Sequence, residues 1–317
     1  MTQSRPHSTF RFQTTLKEKL TFSGPAVFSN APSSVTLHPA KGNTGVVFLV
    51  GGVKIPARAE FARTQGSGFT TLFRDGKKVQ MVEHLLSALY GFGIDNVAIE
   101  VDHLELPMLD GSALGYVEAF AQCGLDQLPE RCEVSTLKEP VYFSEKGVTL
   151  VALPAENFCV SYTWHYPKSK AYTNLFYSEK LERSAYCKNI APARTFAFYE
   201  DIAPAIEAGL IQGANLSQGV LIRDDKIVNR EGLRFEDELV RHKVLDLIGD
   251  FSLTGVRINA HILAVRSGHE AHVKFAQRVR QLLTGEHTDG TIIRQANFGC
   301  ESGRKDSSAQ VSLSSRR

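Results

Sequence analysis

Sixteen residues, Phe235 to Asp250 (FEDELVRHKVLDLIGD), constrain this chain most, because their spacing demands a helix with two distinct faces. At 3.6 residues per turn, Val240, Val244, Leu247, Ile248 and Phe251 share one apolar stripe. His242, Asp246 and Asp250 recur every four residues on another face. An imidazole and a carboxylate spaced i, i+4 stack one turn above the other and aim lone pairs at one small volume. Zinc accepts that nitrogen-plus-oxygen pair, but a catalytic site needs a third protein ligand and an open position for water. Alone, an HxxxD spacing is a common accident, and a solvated helix face is its ordinary meaning. The rest of the chain must supply the third ligand.

A faint internal duplication offers one. Val82 to Leu89 (VEHLLSAL) aligns with Val240 to Leu247 (VRHKVLDL), and both histidines lie off the apolar stripe of their own helix. Each helix follows a run of strands and precedes a strand and a further helix. In the first half, strands cover Ser34–Leu37, Gly45–Val50 and Phe69–Phe73, with a hairpin turn at Asp75-Gly76. A helix at Val82–Tyr90 is expected to stop at Gly91. A strand at Asn96–Val101 and a helix at Ala113–Cys123 follow. In the second half, strands at about 140–144, 147–153 and 158–166 lead to mixed structure at Phe196–Gly209. A strand at Gly219–Ile222, the long helix, a strand at Ile258–Val265 and a helix at Glu270–Leu283 complete it. Residues 10–125 and 132–285 are thus expected to be two similar domains joined by a linker at 126–131. Residues 1–9 are expected to be a flexible start, and the serine-rich stretch 286–317 a disordered tail. If the halves face each other, His84 approaches His242 and Asp246.

Composition narrows the class. Of 317 residues, 43% are hydrophobic and 22% charged, enough for two modest cores. The formal net charge of +2, with no long basic run before the C-terminal end, gives no footprint for nucleic acid. The five cysteines are odd in number and form no CxxC, which disfavours a disulfide framework and a zinc ribbon. Met1–Thr9 is polar, unlike a secretory signal, and apolar runs such as Val46–Val50 have strand length. A cytoplasmic protein without a transmembrane segment is expected; transient contact with a membrane surface stays open.

If His84, His242 and Asp246 hold zinc, neighbouring residues have ready roles. Glu83 is a natural general base for a water acidified by the ion, or else a first-turn glutamate favoured by the helix dipole. His269, at a glycine turn after a strand, could serve as a general acid oriented by Asp250, or be an ordinary surface histidine. Lys243, Arg266 and Thr195 could steady an oxyanion or a phosphate; alone, each is more simply a solvated charge or a strand residue.

These residues, together with Gly93-Ile94-Asp95-Asn96, Pro107-Met108-Leu109-Asp110-Gly111-Ser112, Ala193-Arg194-Thr195-Phe196, Gly232-Leu233-Arg234 and Ser267-Gly268-His269, are spread in order from about residue 10 to 284. Jointly they resemble the UDP-3-O-acyl-N-acetylglucosamine deacetylases, the zinc amidases of lipid A synthesis. The resemblance implies an α+β fold of two similar domains, each a helix layer on a mainly antiparallel sheet. Each domain would carry an insert, and the active site would lie at their junction. It implies Zn2+ on His84, His242 and Asp246, Glu83 as base, His269 as acid tuned by Asp250, and Lys243 and Thr195 steadying substrate and oxyanion. It implies Arg266 and Phe196 as substrate-binding residues. An insert at about 197–224 would form an acyl passage lined by Phe196, Phe198, Ile202, Ile206, Leu210 and Ile211, which could equally be plain core.

The implied reaction is hydrolysis of the N-acetyl amide of a UDP-linked acylated amino sugar; the chain is expected to act as a monomer. Ser23–Ser29 lacks the histidine usual there in the family, and Pro204 should kink or restart the helix of the insert. Two other readings are a deacetylase of a different N-acyl sugar and a non-catalytic RNA-binding module, the latter disfavoured by the near-neutral charge. Ferrous iron also suits two histidines and a carboxylate.

Overall fold

In the computed structural model, which describes residues 10–64 and 68–285, side chains alternate inward and outward along the strands as period-2 patterning requires. The first half runs β1 (Phe10–Leu16), β2 (Leu20–Pro25), β3 (Pro32–Pro39), β4 (Val46–Val50), β5 (Val53–Pro56), β6 (Ala62–Arg63), β7 (Thr71–Arg74), β8 (Lys77–Gln80), α1 (Glu83–Phe92), β9 (Val97–Val101) and α2 (Leu114–Cys123). The second runs β10 (Leu125–Thr136), β11 (Val141–Glu145), β12 (Val148–Pro154), β13 (Cys159–His165), β14 (Asn174–Lys180), a helical turn α3 (Arg183–Ala185), β15 (Phe196–Phe198), α4 (Tyr199–Glu207), β16 (Val220–Arg223), β17 (Lys226–Ile227), α5 (Glu238–Ser252), β18 (Arg257–Val265) and α6 (His269–Thr284).

The duplication is visible in the strand order. One sheet reads β2-β3-β9-β4-β5, and the other contains β11-β12-β18-β13-β14. In each, the strand that follows the long helix is central. It is antiparallel to one neighbour (β3 or β12) and parallel to the other (β4 or β13). β18 buries Ile258, Ala260, Ile262 and Ala264, and β9 buries Val97, Ile99 and Val101. The chain is therefore an α+β protein of two similar halves with helices on mainly antiparallel sheets. Inserts β6-β7-β8 and β15-β16-β17 with α4 precede α1 and α5. Asp75 and Gly76 both take positive φ in the β7–β8 hairpin, as a tight turn of that pair requires.

Several expectations are corrected. Residues 126–131 are not an irregular linker but the first part of β10, which pairs with β1 and, further on, with β18. β1 consequently joins the sheet of the second half although it belongs to the first in sequence. Backbone pairing along β10 satisfies more hydrogen bonds than a free connection would. The boundary is sealed by Asp95, which accepts from Arg11 on β1 at 2.7 and 2.6 Å and from Arg257 on β18 at 3.1 Å. Burial works against that carboxylate's charge, but the two guanidiniums hold its pKa below the ordinary value. Gly91 does not end α1. It lies inside the helix, where an added Cβ would come within 2.4 Å of the Tyr186 ring, and Gly93 (φ 90°) is the stop. α4 runs through Pro204 without restarting; the ring removes one helical donor, and the helix ends three residues later. The expected N-terminal extension and tail lie outside the described residues. No helix among the described residues is long and apolar enough to cross a membrane.

Helices α1 and α5 pack on each other, so even the polar face of α5 is buried. Their closeness depends on Gly249, where an added Cβ would lie 2.1 Å from the Glu83 carbonyl oxygen and 3.1 Å from the Glu83 Cα. Backbone cannot yield there as a side chain would. Gly249→Ala is expected to cost about 1–3 kcal/mol, read as a lower urea midpoint. An unchanged midpoint would show that the helices are not held at this contact.

Candidate active site

α1 and α5 bring the predicted ligands together. His84 Nε2 lies 3.6 Å and His242 Nε2 3.3 Å from Asp246 Oδ1, and the imidazoles meet edge-on with centroids 4.9 Å apart. All three residues are buried. The two nitrogen–oxygen distances are long for hydrogen bonds. They suit ligands about 2.0–2.1 Å from a shared tetrahedral ion, which stand about 3.3 Å apart. His242 Nδ1 donates to the Ala193 carbonyl at 3.0 Å, leaving the Nε2 lone pair facing Asp246. The second carboxylate oxygen, Oδ2, accepts from Lys243 Nζ at 2.8 Å. Burial opposes the Asp246 charge, but His242 in its protonated form and the Lys243 ammonium hold its pKa well below the ordinary value, and the lysine remains when the imidazole is neutral. Burial keeps His242 below its own. A neutral imidazole and an ionised carboxylate are the forms a cation needs. The donor set thus fits a divalent metal ion.

Glu83 is buried, and its Oε2 accepts from the Thr70 backbone N–H at 3.0 Å. Burial raises its pKa, although His269 and His84 pull the other way. His269 Nδ1 lies 2.8 Å from Asp250 Oδ2, while its Nε2 lies 3.9 Å from Asp246 Oδ2. Burial would lower its pKa, but Asp250, Asp246 and Glu83 together raise it to about 9. Asp250 is held below the ordinary carboxylate range despite burial, chiefly by His269 and then His272.

Asp250, His269 and His272 also cluster, yet both imidazole Nδ1 atoms address the same oxygen at 2.8 and 2.9 Å. Those are hydrogen-bond lengths, shorter than the spacing of ligands around an ion. His272 and Thr70 have no counterpart in the sequence reading. His272 sits at i+3 from His269, a spacing that could have flagged it, whereas nothing in the pattern around Thr70 distinguishes it.

The loop carrying Thr195 is mounted with equal care. Arg194, buried, donates Nε to Glu238 Oε1 at 2.9 Å, and Glu238 is wholly buried one turn before His242. Thr195 N–H donates to the Gly111 carbonyl at 2.7 Å, and its carbonyl accepts from Val220 N–H at 2.7 Å. Gly111 has φ 82° and no space for a side chain, since a Cβ would stand 2.2 Å from the Gln218 carbonyl oxygen. Arg234 locks the mount by pairing with Asp110 at 2.8 Å and donating to the Pro192 carbonyl at 2.8 Å. The Phe196 ring lies 6.2 Å from that of His242 and beneath Lys243 Nζ at 5.3 Å. Arg266 is not brought into the cluster. It is exposed with φ 57°, and its backbone N–H donates to the Thr163 carbonyl at 3.0 Å.

Two helices that converge a two-histidine, one-carboxylate set on a buried glutamate and an oriented imidazole equip the chain as a metal-dependent amidohydrolase. Comparison with known proteins agrees. The sequence profile of the UDP-3-O-acyl N-acetylglycosamine deacetylase family matches residues 13–281. A UDP-3-O-acyl-N-acetylglucosamine deacetylase of Chlamydia muridarum is 42% identical over 280 residues, spanning 87% of this chain and 97% of that protein. Proteins of the same name from Chlamydia trachomatis serovar D and Chlamydia pneumoniae are 40% and 38% identical, over 87% and 86% of this chain and 97% and 98% of their own lengths. The chain belongs to this deacetylase family.

Metal analysis should find about one ion per chain, and His84→Ala, His242→Ala and Asp246→Ala should each lose most of it. His269→Ala should retain it. Loss of metal from the last variant would make His269 a ligand.

Proposed function

We propose that the protein is a zinc-dependent hydrolase that removes the N-acetyl group of UDP-3-O-acyl-N-acetylglucosamine. The products would be acetate and a free amine, at an early step of lipid A synthesis. The observation that carries this reading is the packing of His84, His242 and Asp246 around one small volume beside a buried Glu83. Family membership and the names of the relatives support the substrate. The reading places the enzyme in the cytoplasm as a monomer, touching the membrane surface only in passing.

His84, His242 and Asp246 would hold the ion, which when bound acidifies a water and polarises the acyl oxygen. Glu83, buried beside these residues, is placed to take the proton of the attacking water. The Thr70 amide steadies its carboxylate, and burial raises its pKa against the pull of His269 and His84. His269 enters protonated, since its pKa is raised to about 9, and hands a proton from Nε2 to the departing amine. Asp250 fixes the ring from the other side through Nδ1. Lys243 and the Thr195 hydroxyl steady the developing oxyanion. Arg266 serves the diphosphate from its exposed turn.

Phe196 leads to an aromatic wall, with Trp164 edge-on at 5.4 Å and Tyr166 stacked on Phe198 at 4.1 Å. Beyond it, Ile206 and Leu210 are exposed, which supports an apolar path for the acyl chain with Ile202 and Ile211 along the same insert.

The decisive assay offers acylated and non-acylated UDP-sugars to the metal-loaded enzyme; turnover of the acylated one alone supports the reading, and preference for the other reassigns the substrate. Glu83→Ala should keep its metal and lose about 10²–10⁴-fold in kcat. Full activity would remove Glu83 from the mechanism.

Activity requires Glu83 deprotonated and His269 protonated. The rate should therefore fall on the acid side through the pKa of Glu83 and on the alkaline side through that of His269. Asp250 raises the His269 pKa, so Asp250→Asn should move the alkaline limb to lower pH. An unmoved limb would mean that another group sets it.

A further inference from the structure

Asp250 is a hub rather than a simple partner of His269. Its Oδ2 accepts from His269 Nδ1 at 2.8 Å and from His272 Nδ1 at 2.9 Å, and its Oδ1 accepts from the Thr70 hydroxyl at 2.6 Å. The carboxylate is wholly buried, so these donors replace the water that would otherwise solvate it. Thr70 itself is wholly buried and does two things at once: its hydroxyl holds Asp250 while its backbone N–H holds Glu83 Oε2. One residue of the first half thus touches both the group assigned as base and the group that orients the assigned acid.

His272 is braced behind the hub. Its Nε2 lies 2.8 Å from Ser267 Oγ, and the Ser267 carbonyl accepts from the buried Tyr162 hydroxyl at 2.5 Å. With Nδ1–H committed to Asp250, Nε2 accepts from the serine hydroxyl, so the ring is fixed at both ends. Burial holds His272 in the neutral form that this arrangement requires.

We propose that Thr70 and His272 are positioning residues that fix the Asp250 carboxylate from both sides. Through it they set the direction in which His269 presents its Nε2, and Thr70 keeps Glu83 in register with that ring. The proposal rests on the deacetylase reading for its kinetic consequence only; the geometry is independent of substrate.

The test compares Thr70→Val, which keeps shape and backbone amide but deletes the hydroxyl, with Thr70→Ser, which keeps the hydroxyl. His272→Leu is paired with His272→Asn, whose side-chain amide can donate where Nδ1 did. On UDP-3-O-acyl-N-acetylglucosamine, Thr70→Val and His272→Leu should lower kcat about 10–100-fold with KM and metal content little changed. Ser and Asn should restore most of it. Equal losses in Val and Ser, or wild-type kcat in Val, would overturn the proposal.

A second arm uses no substrate. In metal-loaded protein with 15N-labelled histidine, the protected imidazole N–H signals of His269 and His272 should shift together in Thr70→Val and stay in place in Thr70→Ser. Unmoved signals in Thr70→Val would overturn the hub. A wild-type enzyme inert towards the UDP-sugar defeats the functional reading alone, and the spectra then decide the hub.

Discussion

The whole arrangement hangs on how closely α1 and α5 approach. Gly249 stands where any side chain would collide with the Glu83 backbone, so the helices meet almost backbone to backbone. That contact lets His84, from the start of one helix, reach a pair that lies one turn apart on the other. It also buries the polar face of α5, which in isolation would be a solvated surface. Burying His242, Asp246 and Asp250 would be costly without compensation. The compensation is specific: Ala193 and Lys243 for the upper pair, and Thr70, His269 and His272 for Asp250.

Electrostatics divides the site into two parts of opposite character. Around Asp246 the surroundings favour an ionised oxygen and a neutral imidazole, the state ready for a cation. Around Asp250 they favour a protonated His269. Two carboxylates one helical turn apart thus give their neighbours different jobs, because Asp246 is paired with a lysine and Asp250 with imidazoles and a hydroxyl. Glu83, between them in charge terms, is lifted by burial and restrained by the histidines. Pushing titratable groups apart in this way is how acid and base chemistry share one pocket.

Much of this was legible in the residues. The four-residue spacing of His242, Asp246 and Asp250 needed only helical geometry, and the alignment of Val82–Leu89 with Val240–Leu247 anticipated two similar halves, though not the strand order that the two sheets share. The family motifs acquire physical meaning in the fold. Gly93-Ile94-Asp95-Asn96 is the joint between halves, where Asp95 takes two arginines and Asn96 accepts from Gly45 N–H at 2.9 Å. Pro107–Ser112 is the mount of Thr195. What escaped has a common cause. β1 crosses to the far sheet, β10 replaces a linker, and Thr70 bridges Glu83 and Asp250; each depends on contacts between residues far apart in sequence, which local periodicity does not encode. β14, a polar strand of exposed Asn174, Phe176, Ser178 and Lys180, shows too little apolar patterning to announce itself. Gly91 was misjudged because a glycine inside a helix looks like a stop until the Tyr186 ring is seen against it.

The central claim is that one ion is shared between the two helices. Anomalous diffraction from crystals of the metal-loaded protein, collected on either side of the zinc absorption edge, tests it directly. The account predicts a single peak about 2.0–2.2 Å from Nε2 of His84, Nε2 of His242 and an oxygen of Asp246. A peak among Asp250, His269 and His272, or an ion held by α5 without His84, would contradict it.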